Sequence, residues 1–530
     1  MFELKNTMPV MRSILELQPR SEFSAPLPPI PESEIRQTLE ADVVVVGEGL
    51  AGLSCALSAR QCGLDTLVVT ASRGPVGRGG SIFATYSEVM EAKGFPRQDL
   101  DRFILQELEA RGFQCDQQKF YQMFNRSEEA MNWCVDIVSA TGAEPVLEDA
   151  NPGHPDSPTY QPPCTHTFLP PGGTRAGIGI TVCLKAFEEA YLAAGGRVLH
   201  QTPVRDLEKT GSRVTGVLAR TPEGTYVRVK AAKGVVLATG DFSRNRKMLE
   251  VFCPQYAAGF FRNQDAEEDY DTGFAVGGLF KGDGHLMALR AGAAWQRTYP
   301  NAVMIQGSRV GSSLPYGRNR SLRLNSRGER YCNEDMNGAY TAITTLREPG
   351  GAGFAIWDEA YADNTRHRRH GGKQGDPDMT PAEVRAMWQT DIDRGQVVRA
   401  DSLEEVCRQL GLPVETAMAS IERYNRLARD GYDADFHKDP EYLREIRTGP
   451  FYGGRIDARL FFTVLGGPRT NHRMEICDEN DDPIPGLYCV GSMVGDFYAG
   501  CYSFRLAGEN YGAGLTFGYL TGRRLAGLEP

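Results

Sequence analysis

No run of about 18 apolar residues occurs anywhere in the chain, which excludes a helical membrane span. The opening stretch, MFELKNTMPVMRSILELQPR, lacks a basic segment followed by an apolar core and lacks paired arginines. No leader is predicted from it, and a cytoplasmic protein is expected. The 12 cysteines, at 55, 62, 115, 134, 164, 183, 253, 332, 407, 477, 489 and 501, never form C-x-x-C or C-x-x-C-H. That argues against an iron–sulfur cluster, a c-type haem and a zinc ribbon, and buried free thiols are expected instead. No His/Cys/Asp cluster has ligand spacing, so no metal is predicted. Basic charge is also in deficit. Against 68 Asp and Glu stand 58 Lys and Arg, a net −10, which argues against non-specific nucleic-acid binding.

What is present is a strand, a glycine turn and a helix near the start. Val43-Val44-Val45-Val46 has the length and β-branching of a buried parallel strand. It runs into Gly47-Glu48-Gly49-Leu50-Ala51-Gly52, then a helical stretch to about Gly63, then a second strand at Leu67-Val68-Val69. This is a βαβ unit holding the dinucleotide-binding fingerprint. Gly47 allows the tight turn, Gly49 lets backbone approach a pyrophosphate, and Gly52 lets helix pack on strand. The helix N-terminus offers N–H groups to phosphate. An acid is usual at the end of the second strand, to bind ribose. Here stand Thr70-Ala71-Ser72. The role is left to a hydroxyl of Thr70 or Ser72, or to backbone.

The 530 residues allow about two to four domains. Residues 1–40 form a polar lead whose Ala25–Pro31 stretch is too rich in proline for a helix or central strand. It is expected to lie across the surface, or to dock a partner. A second glycine-rich loop, Gly74-Pro75-Val76-Gly77-Arg78-Gly79-Gly80-Ser81, suits a flat ligand close to backbone. Residues 100–142 carry helical periodicity, and a helix resumes over 177–194. Strands are expected at 198–200, 214–218, 226–229 and 234–237, the 226–229 segment in an antiparallel pair. From about 295 to 460 short strands, arginine-rich loops and amphipathic helices (381–389, 402–410, 413–429) predict a separate α+β domain inserted into the first. Arg366-His367-Arg368-Arg369-His370 is a basic run, read as a solvated face or as a dock for an acidic electron donor.

Taken in order, VVVVGEGLAG, GRGGS, KGVVLATGDF, GGLFKGDG, LRLNSRGERYCNED, PIPGLYCVGS and LAGENYGAGLTFGYLTG resemble the fumarate reductase/succinate dehydrogenase flavoprotein superfamily. That group also holds 3-ketosteroid dehydrogenases and urocanate reductases. The resemblance implies an α/β fold, with a Rossmann-like FAD-binding domain (41–294 plus 461–530) and an inserted α+β capping domain (295–460). It implies hydride transfer between the flavin and a carbon–carbon bond, with electrons exchanged with an external donor or acceptor. Some members bind FAD through a histidine near GRGGS. Residues 72–90 contain none, so non-covalent FAD is expected. By position the resemblance places Gly79, Gly80 and Ser81 along the cofactor, Val204 near the adenine, and Thr239 and Gly240 at a contacting turn. It places Asp283 near ribityl or pyrophosphate, and Gly491 and Ser492 at a family Gly-Glu, where Ser in place of Glu weakens a ribityl or ribose contact. Leu506, Ala507 and Gly508 fall at the N-terminus of the last helix, whose dipole favours anionic reduced flavin.

The resemblance thins at the substrate site. Arg330-Tyr331-Cys332-Asn333-Glu334 matches a family segment followed four residues later by a catalytic arginine; here that position is Gly338. Tyr340 is the first choice of proton donor, against a packed tyrosine with its hydroxyl on a loop carbonyl. Arg318 or Arg320 lies near a proton-pathway arginine of relatives, with a solvated loop arginine as the other reading of either. Where fumarate reductases carry a histidine pair, this chain has Phe461-Phe462. Arg505 matches a substrate-binding arginine, and Phe504 replaces a ketosteroid-type tyrosine. Phe461, Phe462, Tyr498, Tyr502 and Phe504 are the expected pocket walls. Two buried negative charges need cationic partners. One guanidinium among aromatic walls suits a bulkier acid or an enone better than fumarate. The expected activity is reduction of an activated carbon–carbon double bond. A ketosteroid-type desaturase, an amine-oxidase-like flavoenzyme and a flavin-bearing electron-transfer subunit are the alternatives.

Overall fold

The computed structural model describes residues 20–97, 99–147, 163–173, 179–261, 280–307, 320–336, 338–365, 379–500, 502–503 and 506–529. Its main sheet is built on the fingerprint strand, Ile35–Val46. In sheet order the strands are Glu475–Cys477, Pro483–Cys489, Tyr226–Leu237, Ile35–Val46, Thr66–Val69 and Arg197–Leu199. The last five of these run parallel. Val43, Val44 and Val45 are fully buried, as a strand covered on both faces requires.

The fingerprint strand begins six residues before position 41, inside the segment expected to lie outside the sheet. Its first half is mostly exposed and polar, so no apolar run marks it. Main-chain pairing with Tyr226–Lys230 holds it instead. Tyr226–Leu237 is likewise one strand, where two were expected. Its first half pairs antiparallel with Arg213–Arg220 and its second half parallel with Pro483–Cys489.

Leu50–Gln61, the fingerprint helix, is buried at nine positions, because the closing helix Glu509–Leu525 covers the side facing away from the sheet. The two approach closely. A Cβ on Gly518 would overlap the Ala51 carbonyl oxygen, and the Ser58 hydroxyl donates to the Tyr519 carbonyl at 2.8 Å.

A second sheet orders Asn301–Gly307, Phe451–Leu465, Ala352–Asp358 and Leu322–Asn325, with Val397–Ala400 also on Phe451–Leu465. Helices Pro381–Asp393, Leu403–Gln409 and Val414–Asp430 pack around it over two apolar clusters of their own. The 15-residue strand Phe451–Leu465 runs unbroken through position 460. Its far end therefore enters the site while still paired with Asn301–Gly307 in the second sheet. The eleven described cysteines are free, and ten are buried.

Gly518→Val should destabilise the protein by about 1–3 kcal/mol, since the added methyls must push the two helices apart. A lowered urea midpoint with unchanged slope checks this.

Candidate functional site

The carboxyl ends of Ile35–Val46, Thr66–Val69 and Tyr226–Leu237 open on a cavity of about 830 Å³. Gly47 forms its floor, with φ of 109°. A Cβ there would overlap the Ala238 carbonyl oxygen, so the turn closes only on glycine. Gly49 caps Leu50–Gln61 without any side-chain bond, leaving the first turn of the helix uncapped toward the cavity. Across from it Gly508, with φ of 81°, starts the closing helix, also without a side-chain cap. Gly508 presses on Ser81, and its carbonyl accepts from Phe83 N at 3.1 Å. Two helix N-termini and two glycine loops thus meet around one space.

The sequence-predicted cofactor residues gather here. Gly47, Gly49, Leu50, Ala51, Thr70, Ala71, Ser72, Gly79, Gly80, Ser81, Val204, Thr239, Gly240, Asp283, Gly491, Ser492, Ala507 and Gly508 all line the cavity. Gly52 and Leu506 do not. Gly52 packs beneath the turn, where a Cβ would overlap the Gly47 carbonyl oxygen, and the Leu506 side chain is fully buried in the core.

Of the expected pocket walls, Phe462 and Tyr502 line the cavity. Phe461 does not: it packs on Phe260, centroids 4.8 Å apart, in a separate cluster. The cause is a bulge. Pairing with Asn301–Gly307 skips Phe462, so Phe462 and Thr463 both face inward. Tyr498 is also withdrawn, packed between Phe497 and Tyr502. Tyr340 stands on helix Gly338–Arg347, off the cavity wall, and its hydroxyl donates to the Tyr502 carbonyl at 2.9 Å. Arg318, Phe504 and Arg505 lie outside the described residues, as do Arg366–His370. Arg320 pairs with Asp335 at 2.8 Å and covers the Tyr442 ring, so it serves packing rather than a solvated loop.

Sequence reasoning missed Arg78. Its buried guanidinium lines the cavity, donates to the Phe462 carbonyl and to Ser243 Oγ (3.2 Å), and lies 4.0 Å from the Phe280 ring centroid. Its backbone N donates to the Tyr511 hydroxyl at 2.7 Å. Asp241 was missed too. It accepts from the Thr463 hydroxyl at 2.6 Å and from Val464 N at 3.1 Å, tying the Thr239–Asp241 turn to the bulged strand. An arginine flanked by glycines was the available signal for the first; nothing local marked the second.

Behind the closing helix sits a buried trio. Arg111 Nη2 donates to Glu509 at 2.5 Å and Nη1 lies 3.6 Å from Glu107. Two carboxylates share one guanidinium, so burial pushes Glu509 up to about 7 although Arg111 pulls it down. His166 and His285 are fully buried, and burial lowers each to about 4, so both are neutral. His285 Nε2 donates to the Gly466 carbonyl at 3.0 Å.

The FAD binding domain family matches residues 42–509, and the chain belongs to that family. FAD is therefore its cofactor, and the cavity fits it: glycine backbone and two uncapped helix N-termini suit the phosphates, and the flat loop Gly79–Ser81 suits a ring. Vinyl phenol reductase of Lactiplantibacillus plantarum is 24% identical over 519 residues, 92% of this chain and 96% of its own. The 3-oxosteroid 1-dehydrogenase of Mycolicibacterium smegmatis is 26% identical over 588 residues, 92% of this chain and 97% of its own. The solved 3-ketosteroid-delta4-(5alpha)-dehydrogenase of Rhodococcus jostii superposes with a TM-score of 0.69 at 25% identity, over 94% of this chain and 100% of that one. Among the described residues no helix is long and apolar enough to cross a membrane.

Glu509 generates a pH prediction. Its folded value lies above the ordinary 4.5 of a glutamate, so the folded state holds the proton more tightly. Stability is then highest below about pH 4.5 and declines as pH rises to about 7, by on the order of 3 kcal/mol for this group. Thermal melts of Glu509→Gln should lose that part of the slope; a slope equal to that of the wild type refutes the assignment.

Proposed function

We propose that this flavoenzyme reduces an activated carbon–carbon double bond in an enone or unsaturated acid bulkier than fumarate. One observation carries the reading: the dinucleotide turn and an aromatic end with Arg78, Phe280, Phe462 and Tyr502 share a single cavity. Residues 295–460 act as the capping domain over that end. Held non-covalently by the Gly47–Gly49 turn, Gly79–Ser81 and Gly508, FAD would supply the hydride for the β-carbon, with an external donor as the source of its electrons.

The chain's own residues supply the remainder. Phe462 and Phe280 exclude water and favour a flat apolar substrate. Arg78 adds positive potential beside them, and Arg505 polarises the carbonyl or carboxylate. Tyr502 lines the cavity beside Phe462 and serves as the proton donor to the α-carbon; burial raises its phenol above the ordinary range, so it stays protonated between turnovers. Tyr340, first choice from sequence as the donor, instead holds the Tyr502 backbone in place. Run backwards, the same geometry desaturates a saturated ketone. The two steroid dehydrogenases among the relatives favour keeping that direction open.

Anaerobic, dithionite-reduced protein should regain flavin colour when given the right member of a panel of enones and aryl-substituted unsaturated acids, and not with fumarate. Bleaching of oxidised protein by a saturated ketone, with no reoxidation by any alkene, would reverse the direction. Arg505→Ala and Tyr502→Phe should keep flavin and lose about 100-fold or more in kcat. Tyr340→Phe should lose about ten-fold or less.

A further inference from the structure

The dinucleotide turn carries a carboxylate that the fingerprint does not require. Glu48 stands between Gly47 and Gly49 and lines the cavity, with its side chain 0% exposed. Its Oε1 accepts from His200 Nε2 at 3.1 Å. Its Oε2 is buried and meets no hydrogen-bond partner. Such an oxygen is costly to bury unless a ligand supplies a donor. Burial pushes the Glu48 carboxyl up to about 7, against the pull of His200.

The topology fixes where this carboxylate lies. Thr66–Val69 sits between Ile35–Val46 and Arg197–Leu199 in the sheet. Glu48 follows the first flanking strand and His200 follows the other. The bond between them therefore spans the carboxyl end of Thr66–Val69, where a dinucleotide fold places its ribose-binding acid. In this chain the end of that strand offers only Thr70 and Ser72, whose hydroxyls bond each other at 2.7 Å.

We propose that Glu48 is the acidic ribose ligand of this chain. Oε2 accepts from a hydroxyl of the adenosine ribose of FAD, and His200 is a positioning residue that holds Oε1. The assignment rests on FAD as the cofactor. Glu188, on helix Gly179–Ala193, is the other charged group at this point, with Oε1 3.4 Å from His200 Nε2. Donor atoms of Glu48, Glu188 and His200 all lie within 4.8 Å of one another, so a bound cation is the competing occupant.

The test is an exchange competition on the holoprotein. Full-length protein is equilibrated with equal amounts of FAD and an analogue lacking the adenosine 2′- or 3′-hydroxyl, with and without EDTA. Bound flavin is then separated and quantified. Wild type should prefer FAD over at least one analogue by about ten-fold or more, the worth of one charge-assisted hydrogen bond. Glu48→Gln and Glu48→Ala should cut that preference to about two-fold or less, and His200→Phe should reduce it while flavin is retained. Equal uptake by the wild type, a preference that survives in both Glu48 variants, or one abolished by EDTA would each overturn the assignment. Visible absorbance of the purified wild type separates the two readings. Flavin-free protein fails the cofactor reading and this one with it; flavin-bearing protein without discrimination fails only Glu48.

Discussion

Backbone pressed on backbone at Gly47 is the constraint on which the site depends. The turn after Val46 meets the Ala238 carbonyl at the end of a neighbouring strand with no room for a side chain. That contact sets where the fingerprint helix begins and keeps its first N–H groups turned toward the cavity. Gly508 repeats the device on the opposite wall, seating the closing helix against Ser81. Neither N-cap glycine supplies a side-chain cap, which leaves the start of the fingerprint helix open to an anionic ligand, whereas at the closing helix Glu509 N donates to the Leu506 carbonyl and Asn510 N to the Tyr502 hydroxyl.

Buried charge is the second organising theme, and it is handled in networks. Arg330 makes paired bonds to Glu334 and to Asp433, with Lys438 3.4 Å from Glu334. Breaking one member of such a set leaves an uncompensated ion, so the network holds the second sheet to its helices. The segment that resembles a catalytic signature is here a structural node. The Glu107–Arg111–Glu509 trio differs in having more acid than base, and so holds a proton near neutrality. It lies at the root of the closing helix, whose N-terminus lines the cavity.

The direct cofactor cradle and the fold class were legible because local patterns carry them. A β-branched run, glycines at set spacing and a following helix can form only a few structures. The same holds for the glycine-rich loop through Gly79–Ser81, whereas Gly491 and Ser492 were placed by the family resemblance alone. Strand limits were less legible where pairing, not apolar pattern, holds the chain, as at Ile35–Glu40.

The sequence by itself determined the dinucleotide turn, the second sheet's amphipathic helices and the absence of cysteine pairs at ligand spacing, since each is a matter of nearest neighbours along the chain. Only the tertiary structure decided which aromatic faces the cavity, because the bulge at Phe462 puts it on the same face as Thr463, turning Phe462 inward and Phe461 outward where strict alternation would do the reverse. It also decided that Arg78 meets Phe280 and Ser243, and that Glu48 meets His200. Those partners are about 150 to 200 residues apart in sequence, and only closure of the parallel sheet brings them together.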